Sequence, residues 1–323
     1  MSLPSCPQYL SLLHAWHERV VEMRKKAEEF QRDGKEATRR EFEAAKQLAE
    51  EERAEFEGFA YEKIAYAIKF GSVQDIPRIQ KEELERIDNA LKGNLRIGVQ
   101  DGQIITINTV NNQGDPSLAL QNIFMFRELK ELRCFNTKIT TLPKLPDGLK
   151  VLTCYKTQLT TLPRLPDTLT TLNCSQTQII SLPELPDQLT RLDCNDTQLV
   201  TLPKLPDGLK WLDCFNTPLT TLPELPDGIS WLDCVNTKIT TMPKLPDSLK
   251  HLSCGSTNIT SLPTLPKGLT VLACSNTKIS SLPELPPNLT EIDILKTPAA
   301  RSSVVKKQLA EYSKHHPSCK IQY

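Results

Sequence analysis

Cysteine recurs in this chain at a constant spacing, which raises the question of thiol or metal chemistry. Eight of the ten cysteines follow one another in steps of twenty residues: Cys134, Cys154, Cys174, Cys194, Cys214, Cys234, Cys254 and Cys274. Two of them lie in near copies that also carry tryptophan and aspartate, WLDCFNT at residues 211–217 and WLDCVNT at residues 231–237. Thiolates and carboxylates bind metals and, beside a suitable base, act as catalytic groups. The repeated motif is therefore either a reactive constellation or part of a scaffold.

The regular spacing favours the scaffold. Neighbouring strands of a sheet lie about 4.8 Å apart, so cysteines at the same place in successive strands form a column of parallel thiols. A zinc site needs ligands that converge tetrahedrally, which such a column does not offer. The strand spacing would permit disulfides. We nevertheless predict reduced cysteines that pack as small apolar side chains, in a protein that works in a reducing compartment.

The cysteines belong to a twenty-residue repeat that spans residues 129–298 in about nine units, with the consensus L-x-x-L-x-C-x-x-T-x-[LI]-T-[TS]-L-P-x-L-P-D-x. Leucine and cysteine alternate, so both point to one side of a short strand. The two prolines exclude a helix and favour an extended return. Because one such unit cannot bury its apolar side alone, the copies must stack. We predict an α+β protein containing a leucine-rich repeat solenoid, with a parallel sheet on its concave face and extended, polyproline-like segments on its convex side.

Two further residue columns accompany the cysteines. A threonine follows each cysteine by three residues, and most repeats end in an aspartate such as Asp147. No histidine recurs beside the threonines, so they lack the general base that a hydroxyl nucleophile needs. We predict that the threonine hydroxyls bond to neighbouring backbone at the turn out of the strand, and that the aspartates cap the turn into the next strand.

The LPxLP return and the twenty-residue period resemble the bacterial leucine-rich repeat effectors of type III secretion, of the YopM and IpaH kind. The resemblance covers residues 118–298 and implies an effector that reaches the host cytosol by a signal-peptide-independent route. Two columns depart from the family, because cysteine stands where an aliphatic residue is usual and threonine where asparagine is usual. Members of the IpaH kind also carry a ubiquitin-ligase domain. Only residues 299–323 follow the repeats here, so that activity is not expected.

Function is expected where the repeats differ, at the strand positions that point away from the core. The middle repeats combine aromatic and charged residues there, as interface hot spots do. The candidate partner-binding residues are Tyr155, Arg191, Asp193, Trp211, Asp213, Phe215, Trp231, Asp233 and His251. Three carboxylates about 4.8 Å apart repel one another. We therefore predict a partner segment rich in lysine or arginine with apolar anchors. We also predict that alanine at both Trp211 and Trp231 abolishes binding and leaves thermal stability nearly unchanged.

Other interpretations of these residues stay open. The tryptophans and aspartates could simply cover the sheet or stabilise neighbouring strands. A paired-carboxylate hydrolase or a Ca²⁺ site is disfavoured, because the face of a solenoid sheet has no enclosing pocket. We therefore predict a non-enzymatic protein-interaction scaffold, with no catalytic residue, no cofactor and no metal.

The composition disfavours several other classes of protein. Lysine plus arginine equals aspartate plus glutamate at 39 each, so no net charge favours nucleic acid or an anionic membrane. No apolar run reaches the roughly 18 residues that a membrane span needs. The first twenty residues do not resemble a signal peptide. The prediction is a cytoplasmic protein.

The segments that flank the repeats have different patterns. Residues 1–94 show apolar residues in steps of three and four, which predicts an α-helical module made of an antiparallel helical hairpin and a third helix. Residues 95–128 predict a β-hairpin and a short helix after Asp115 that cap the solenoid, and residues 299–323 predict a capping helix and tail. Two alternatives concern the helical module: a coiled-coil arm that makes the protein a self-associating structural protein, or the seat of an adaptor or enzymatic activity.

Overall fold

The computed structural model describes residues 96–100, 103–109, 120 and 123–323. The predicted helical module of residues 1–94 and the predicted short helix after Asp115 lie outside the described residues. Within the described ranges, twelve strands form one sheet, and their order across the sheet is their order along the chain.

A hairpin begins the sheet. Its strands, β1 at Arg96–Gln100 and β2 at Gln103–Asn108, pair antiparallel as predicted, with an irregularity between Gly98 and Val99. A 3₁₀ turn at Ile123–Met125 leads into the repeats. The second strand pairs in parallel with the first repeat strand, so the hairpin continues the sheet beyond the repeats.

Nine three-residue strands follow at intervals of twenty residues. They are β3 Glu131–Arg133, β4 Val151–Thr153, β5 Thr171–Asn173, β6 Arg191–Asp193, β7 Trp211–Asp213, β8 Trp231–Asp233, β9 His251–Ser253, β10 Val271–Ala273 and β11 Glu291–Asp293. Each pairs in parallel with the next, and residues twenty apart lie side by side, as Trp211 does beside Trp231. This register and the leucine-rich consensus together make the region a parallel-strand solenoid of leucine-rich repeats, as predicted.

The core lies on one side of this sheet. The middle residue of every repeat strand and the eight repeat cysteines are fully buried. Each of those cysteines donates its backbone N–H to the next strand, as Cys134 does to the carbonyl of Thr153 at 2.8 Å. The eight thiols are free, and burial raises the pKa of Cys134 to about 12. Their full burial confirms the predicted packing role, and a thiol that stays protonated is a poor nucleophile.

The chain leaves each repeat strand through one residue in the left-handed backbone region. These residues have φ between 52° and 58°, and five of the nine are asparagine or aspartate, which tolerate that region best among residues with a side chain. The threonine that follows donates its hydroxyl to the carbonyl of the cysteine three residues earlier, as Thr217 does to Cys214 at 2.7 Å. The predicted threonine–backbone bonds are thereby confirmed.

The prediction for the repeat aspartates is wrong. The turns into β4 to β10 are closed by backbone, as in the bond from the Leu149 N–H to the Pro146 carbonyl at 3.2 Å. The side chain of Asp147 is 91% exposed and lies 3.9 Å from the ammonium of Lys144. The backbone closes this turn by itself, so the carboxylate is free to face water.

Two helices and a last strand end the described chain. They are α1 at Pro298–Arg301, α2 at Ser303–His315 and β12 at Lys320–Gln322. Val305, Leu309 and Tyr312 are the buried residues of α2, which confirms the apolar face that the spacing predicts. β12 pairs in parallel with β11 and was not predicted.

Candidate functional site

The candidate site lies on the open face of the sheet, defined here as the side toward which the first and third residues of each repeat strand project. Leucine and cysteine occupy the alternate positions and face the core, so the sequence of the open face is free to vary. In β6 to β9 the first positions carry Arg191, Trp211, Trp231 and His251. Parallel pairing in register sets these four side chains in one row across neighbouring strands.

The four side chains of this row form one continuous stack. The guanidinium carbon of Arg191 lies 4.4 Å from the ring centre of Trp211. The two tryptophan rings stack with centroids 4.2 Å apart and 7° between their planes. The ring of Trp231 also stacks on His251, at 3.6 Å and 2°. Because each ring lies face to face with its neighbour along the sheet, solvent meets the ring edges, and most of the aromatic surface is used between strands.

The carboxylate of Asp193 is satisfied within the protein. It is only 4% exposed, and Arg191 donates to both of its oxygens, from Nε at 2.6 Å and from Nη2 at 2.9 Å. The indole Nε1–H of Trp211 donates to the same carboxylate at 3.1 Å. The expected column of three repelling carboxylates is therefore incomplete, because one of them is already paired with a cation.

Asp213 and Asp233 are half-buried and differ in their partners. Asp213 accepts hydrogen bonds on both oxygens, from the Asn195 side-chain amide at 2.8 Å and from the Phe215 N–H at 3.3 Å. Asp233 accepts the Val235 N–H on one oxygen at 3.1 Å. Burial raises the pKa of Asp213 to about 6, and burial also raises the pKa of Asp233. Both carboxylates thus lose part of their hydration and benefit from any further donor.

A serine–histidine pair lies beside them and was not singled out from the sequence. The ring Nε2 of His251 lies 2.8 Å from the hydroxyl of Ser253, and burial lowers the pKa of His251. A nucleophile needs its base to be oriented by a third group. Among the residues the structure describes, no hydrogen bond orients the other ring nitrogen of His251, and Ser253 is only 8% exposed. The pair therefore fixes the orientation of the imidazole; the pattern His-x-Ser on one strand face was its only sequence signal.

The remaining two candidates lie one position beyond the strands. Phe215 follows Cys214 and is half-buried beside Asp213, to which its own N–H donates. Tyr155 follows Cys154, where its ring stacks on Phe135 with centroids 4.6 Å apart. Tyr155 belongs to the repeat of β4, two strands away from Arg191 on β6. Eight of the nine candidate residues thus share β6 to β9 and the adjoining turns, and Tyr155 lies apart.

The residues of this surface present charge, ring edges and hydrogen-bonding groups on an open sheet. Residues 123–323 contain no group of three histidine, cysteine, aspartate or glutamate side chains that could hold a metal ion. No helix in the described part of the chain is both long and apolar enough to span a membrane.

Comparisons with known proteins find similar solved structures. No protein-family model matches the chain, and no curated protein matches it. Among solved structures, YopM from Yersinia enterocolitica WA-314 is 30% identical over 53% of this chain, with a TM-score of 0.47, and the match covers 43% of that protein. YopM from Yersinia pestis is 27% identical over 52% of this chain and 58% of its own, with a TM-score of 0.46. A Shigella effector LRR domain is 23% identical over 75% of this chain and 95% of its own, with a TM-score of 0.45.

Proposed function

We propose that the protein is a non-enzymatic scaffold that binds a protein partner on the open face of its repeats, across β6 to β9. The observation that carries the proposal is the stacked row of Arg191, Trp211, Trp231 and His251 beside the half-buried carboxylates of Asp213 and Asp233. Rigid aromatic and charged groups at the centre of a surface are what interface hot spots contain. A sheet held by hydrogen bonds on both sides of each strand presents them without further ordering.

The chemistry of the partner follows from the charges of this surface. Asp193 is neutralised by Arg191, whereas Asp213 and Asp233 have no cation within ion-pair distance among the described residues. A partner segment with lysine or arginine relieves their mutual repulsion, and apolar anchors beside it pack on the ring edges and on Phe215. By resemblance of its repeats, we place this interaction in a host cell, with the protein acting there as a bacterial effector.

A blocking substitution tests the proposal without disturbing the stack. Val235 is half-buried one position after Cys234, next to the carboxylates, so Val235→Arg places a long charged side chain in the middle of the surface. Ile180→Arg is the matched control, because Ile180 is 63% exposed and lies six residues beyond Cys174, outside the open-face positions. Both variants are first compared with the wild type by circular dichroism and thermal unfolding.

The measurement is quantitative capture from a eukaryotic cell lysate by the full chain and by each variant. We expect a defined protein that is retained by the wild type and by Ile180→Arg and reduced at least about tenfold by Val235→Arg. Equal capture by all three folded proteins would show that the partner does not use this face. A protein retained only through residues 1–94 would support the adaptor alternative.

A further inference from the structure

The two near copies WLDCFNT and WLDCVNT differ in how far their outward residues are satisfied inside the protein. In β7, Trp211 donates its indole N–H to Asp193 on the preceding strand, at 3.1 Å. In β8, the equivalent bond would run from the indole N–H of Trp231 to Asp213 on the preceding strand. Asp213 instead accepts from Asn195 and from Phe215. Within residues 123–323, the indole N–H of Trp231 has no hydrogen-bond acceptor.

The carboxylates of the two copies also differ in their hydrogen-bond donors, and the one in the second copy has fewer. Asp213 receives a side-chain amide proton from Asn195, which stands one position after Cys194 on the neighbouring repeat. At the equivalent place beside Asp233 stands Phe215, which has no donor in its side chain. Asp233 is left with one backbone bond, and its second oxygen has no donor among the described residues. One sequence difference, Asn195 against Phe215, therefore leaves the second copy incomplete.

A donor and an acceptor without partners thus stand together on β8. Trp231 and Asp233 are the first and third residues of one strand, so their side chains project to the same face. Both are half-buried, which makes an unsatisfied group more costly than it is in bulk water. The stack with Trp211 and His251 holds the indole in place, so its N–H has a fixed direction.

The charges on neighbouring strands decide which kind of group completes the pair. The outward strand positions from β8 to β11 carry the acids Asp233, Glu291 and Asp293 and no lysine or arginine. Burial lowers the pKa of His251, which disfavours a compensating positive charge on its ring. Arg191 is two strands away and engaged with Asp193. A cationic donor therefore fits Asp233 better than a neutral one.

We infer that β8 is the recognition point of the partner: Asp233 binds a lysine or arginine side chain, and the indole N–H of Trp231 binds a main-chain carbonyl of the same segment. Trp211 and Asp193 are positioning residues that hold the row of rings in place, and Asp213 is occupied by Asn195 and the Phe215 N–H. The inference rests on the proposed function, because it names the chemistry of the protein partner bound there. The inference goes beyond the proposed function because it assigns recognition to the copy WLDCVNT and a supporting role to the copy WLDCFNT.

The chain carries three tryptophans, so indole N–H signals give a direct test. The full chain is labelled with ¹⁵N, and the signals of Trp16, Trp211 and Trp231 are assigned with single Trp→Phe variants. The probe is the peptide acetyl-Ala-Leu-Arg-Leu-Ala-amide, titrated at pH 7.5 up to its solubility limit. Its counterpart with citrulline in place of arginine has the same shape without the charge. We expect the arginine peptide to shift the signal of Trp231, and the citrulline peptide to shift it more weakly. The signal of Trp211 should shift less than that of Trp231 with either peptide.

Matched variants in the two copies sharpen the test. Asp233→Asn is expected to weaken binding of the arginine peptide about tenfold, because a charge-assisted hydrogen bond is lost, whereas Asp213→Asn leaves it within about twofold. Trp231→Phe keeps the stack and loses the donor, so we expect weaker peptide binding at unchanged melting temperature. Trp211→Phe removes a bond to the buried carboxylate of Asp193, so we expect a lower melting temperature and unchanged peptide binding.

Four outcomes overturn the inference. They are no shift of the Trp231 signal, equal shifts of both indoles, equal effects of Asp213→Asn and Asp233→Asn, and equal binding of the arginine and citrulline peptides. The proposed function fails separately, in the lysate capture with Val235→Arg. If that capture fails while the peptide still binds in the expected pattern, β8 is a site for cationic peptides whose partner is not among the proteins of the lysate. If the capture succeeds and the peptide pattern fails, the partner uses the face by other contacts.

Discussion

On the inner side of the repeat sheet, leucine and cysteine recur from Leu132 to Cys274, whereas on the open face no residue type occupies a strand position throughout. Both sides belong to the same three-residue strands and share one backbone register. The inner side must fill the same space in every repeat, since each unit packs only against its neighbours. The open face has no such constraint, so its differences carry the information that distinguishes one repeat from another.

The largest effect is expected on the inner side. Leu212 is fully buried between β6 and β8, and Leu212→Ala leaves a cavity that neighbouring repeats cannot close, at a cost of about 3 kcal/mol in the free energy of unfolding. Leu295→Ala is the control, because Leu295 is 40% exposed. Urea unfolding measures both. Equal effects of the two substitutions would remove the distinction between the two sides.

The second effect tests whether part of the open face is structural. Arg191→Met leaves the carboxylate of Asp193 buried with the indole N–H of Trp211 as its remaining side-chain donor. We expect a loss of about 2 kcal/mol, below that of a fully buried pair, because the Arg191 side chain is 46% exposed. Arg164→Met removes an ion pair whose side chains are 88% and 86% exposed, and should change stability by less than about 0.5 kcal/mol.

A smaller effect is expected at the turn that joins the two sides. Thr217→Val keeps the shape of a buried side chain and removes the bond from its hydroxyl to the Cys214 carbonyl. The unfolding free energy should fall by about 1 kcal/mol, since the carbonyl loses a donor in a buried place. Thr221→Val, at an exposed position of the same repeat, provides the comparison in the same unfolding assay. An unfolding free energy equal to that of the wild type would mean that the threonines of this column contribute by packing and not by their hydrogen bonds.

The smallest effect is a pH dependence. Burial raises the pKa of Asp213 from 3.8 to about 6, so between these values the folded state binds the proton more tightly than the unfolded chain. This group therefore makes stability fall as pH rises from about 4 to about 6, and its penalty is complete above that range. Asp213→Asn should remove that fall. The stability of the variant relative to wild type should rise by on the order of 1 kcal/mol from pH 4 to pH 7, a discounted value for a half-exposed group. Urea unfolding at both pH values tests this. A parallel pH profile for both proteins would contradict the burial of this carboxylate.

The tryptophans of the open face have a structural role that the spacing alone did not reveal. The sequence predicts two exposed rings whose removal spares stability. The structure stacks them face to face and bonds Trp211 to a buried carboxylate, so truncation to alanine is now expected to lower stability as well as binding. For this reason Trp→Phe, which keeps a ring in the stack, is the informative substitution.

How much could be predicted from sequence depends on how local the cause is. The direction of Leu212 and Cys214 follows from an alternation within one strand, and the face of α2 follows from steps of three and four around Leu309. The open-face row follows from the constant period of twenty residues. β12 could not be predicted, because three residues of tail form a strand only where the edge of β11 accepts them. The cap assigned to Asp147 was wrong, since the backbone closes that turn by itself.

By itself the sequence determined the repeat, the two faces of its strands and the positions where the repeats differ, because each of these depends on a period that can be counted. Only the tertiary structure decided which outward groups are used inside the protein. Arg191 could have faced a partner and instead binds Asp193, and Asn195 reaches across to Asp213 while Phe215 leaves Asp233 without a side-chain donor. Asn195 lies eighteen residues before Asp213 and becomes its neighbour only when the strands pair. Hydrogen bonds form between spatial neighbours whatever their separation along the chain.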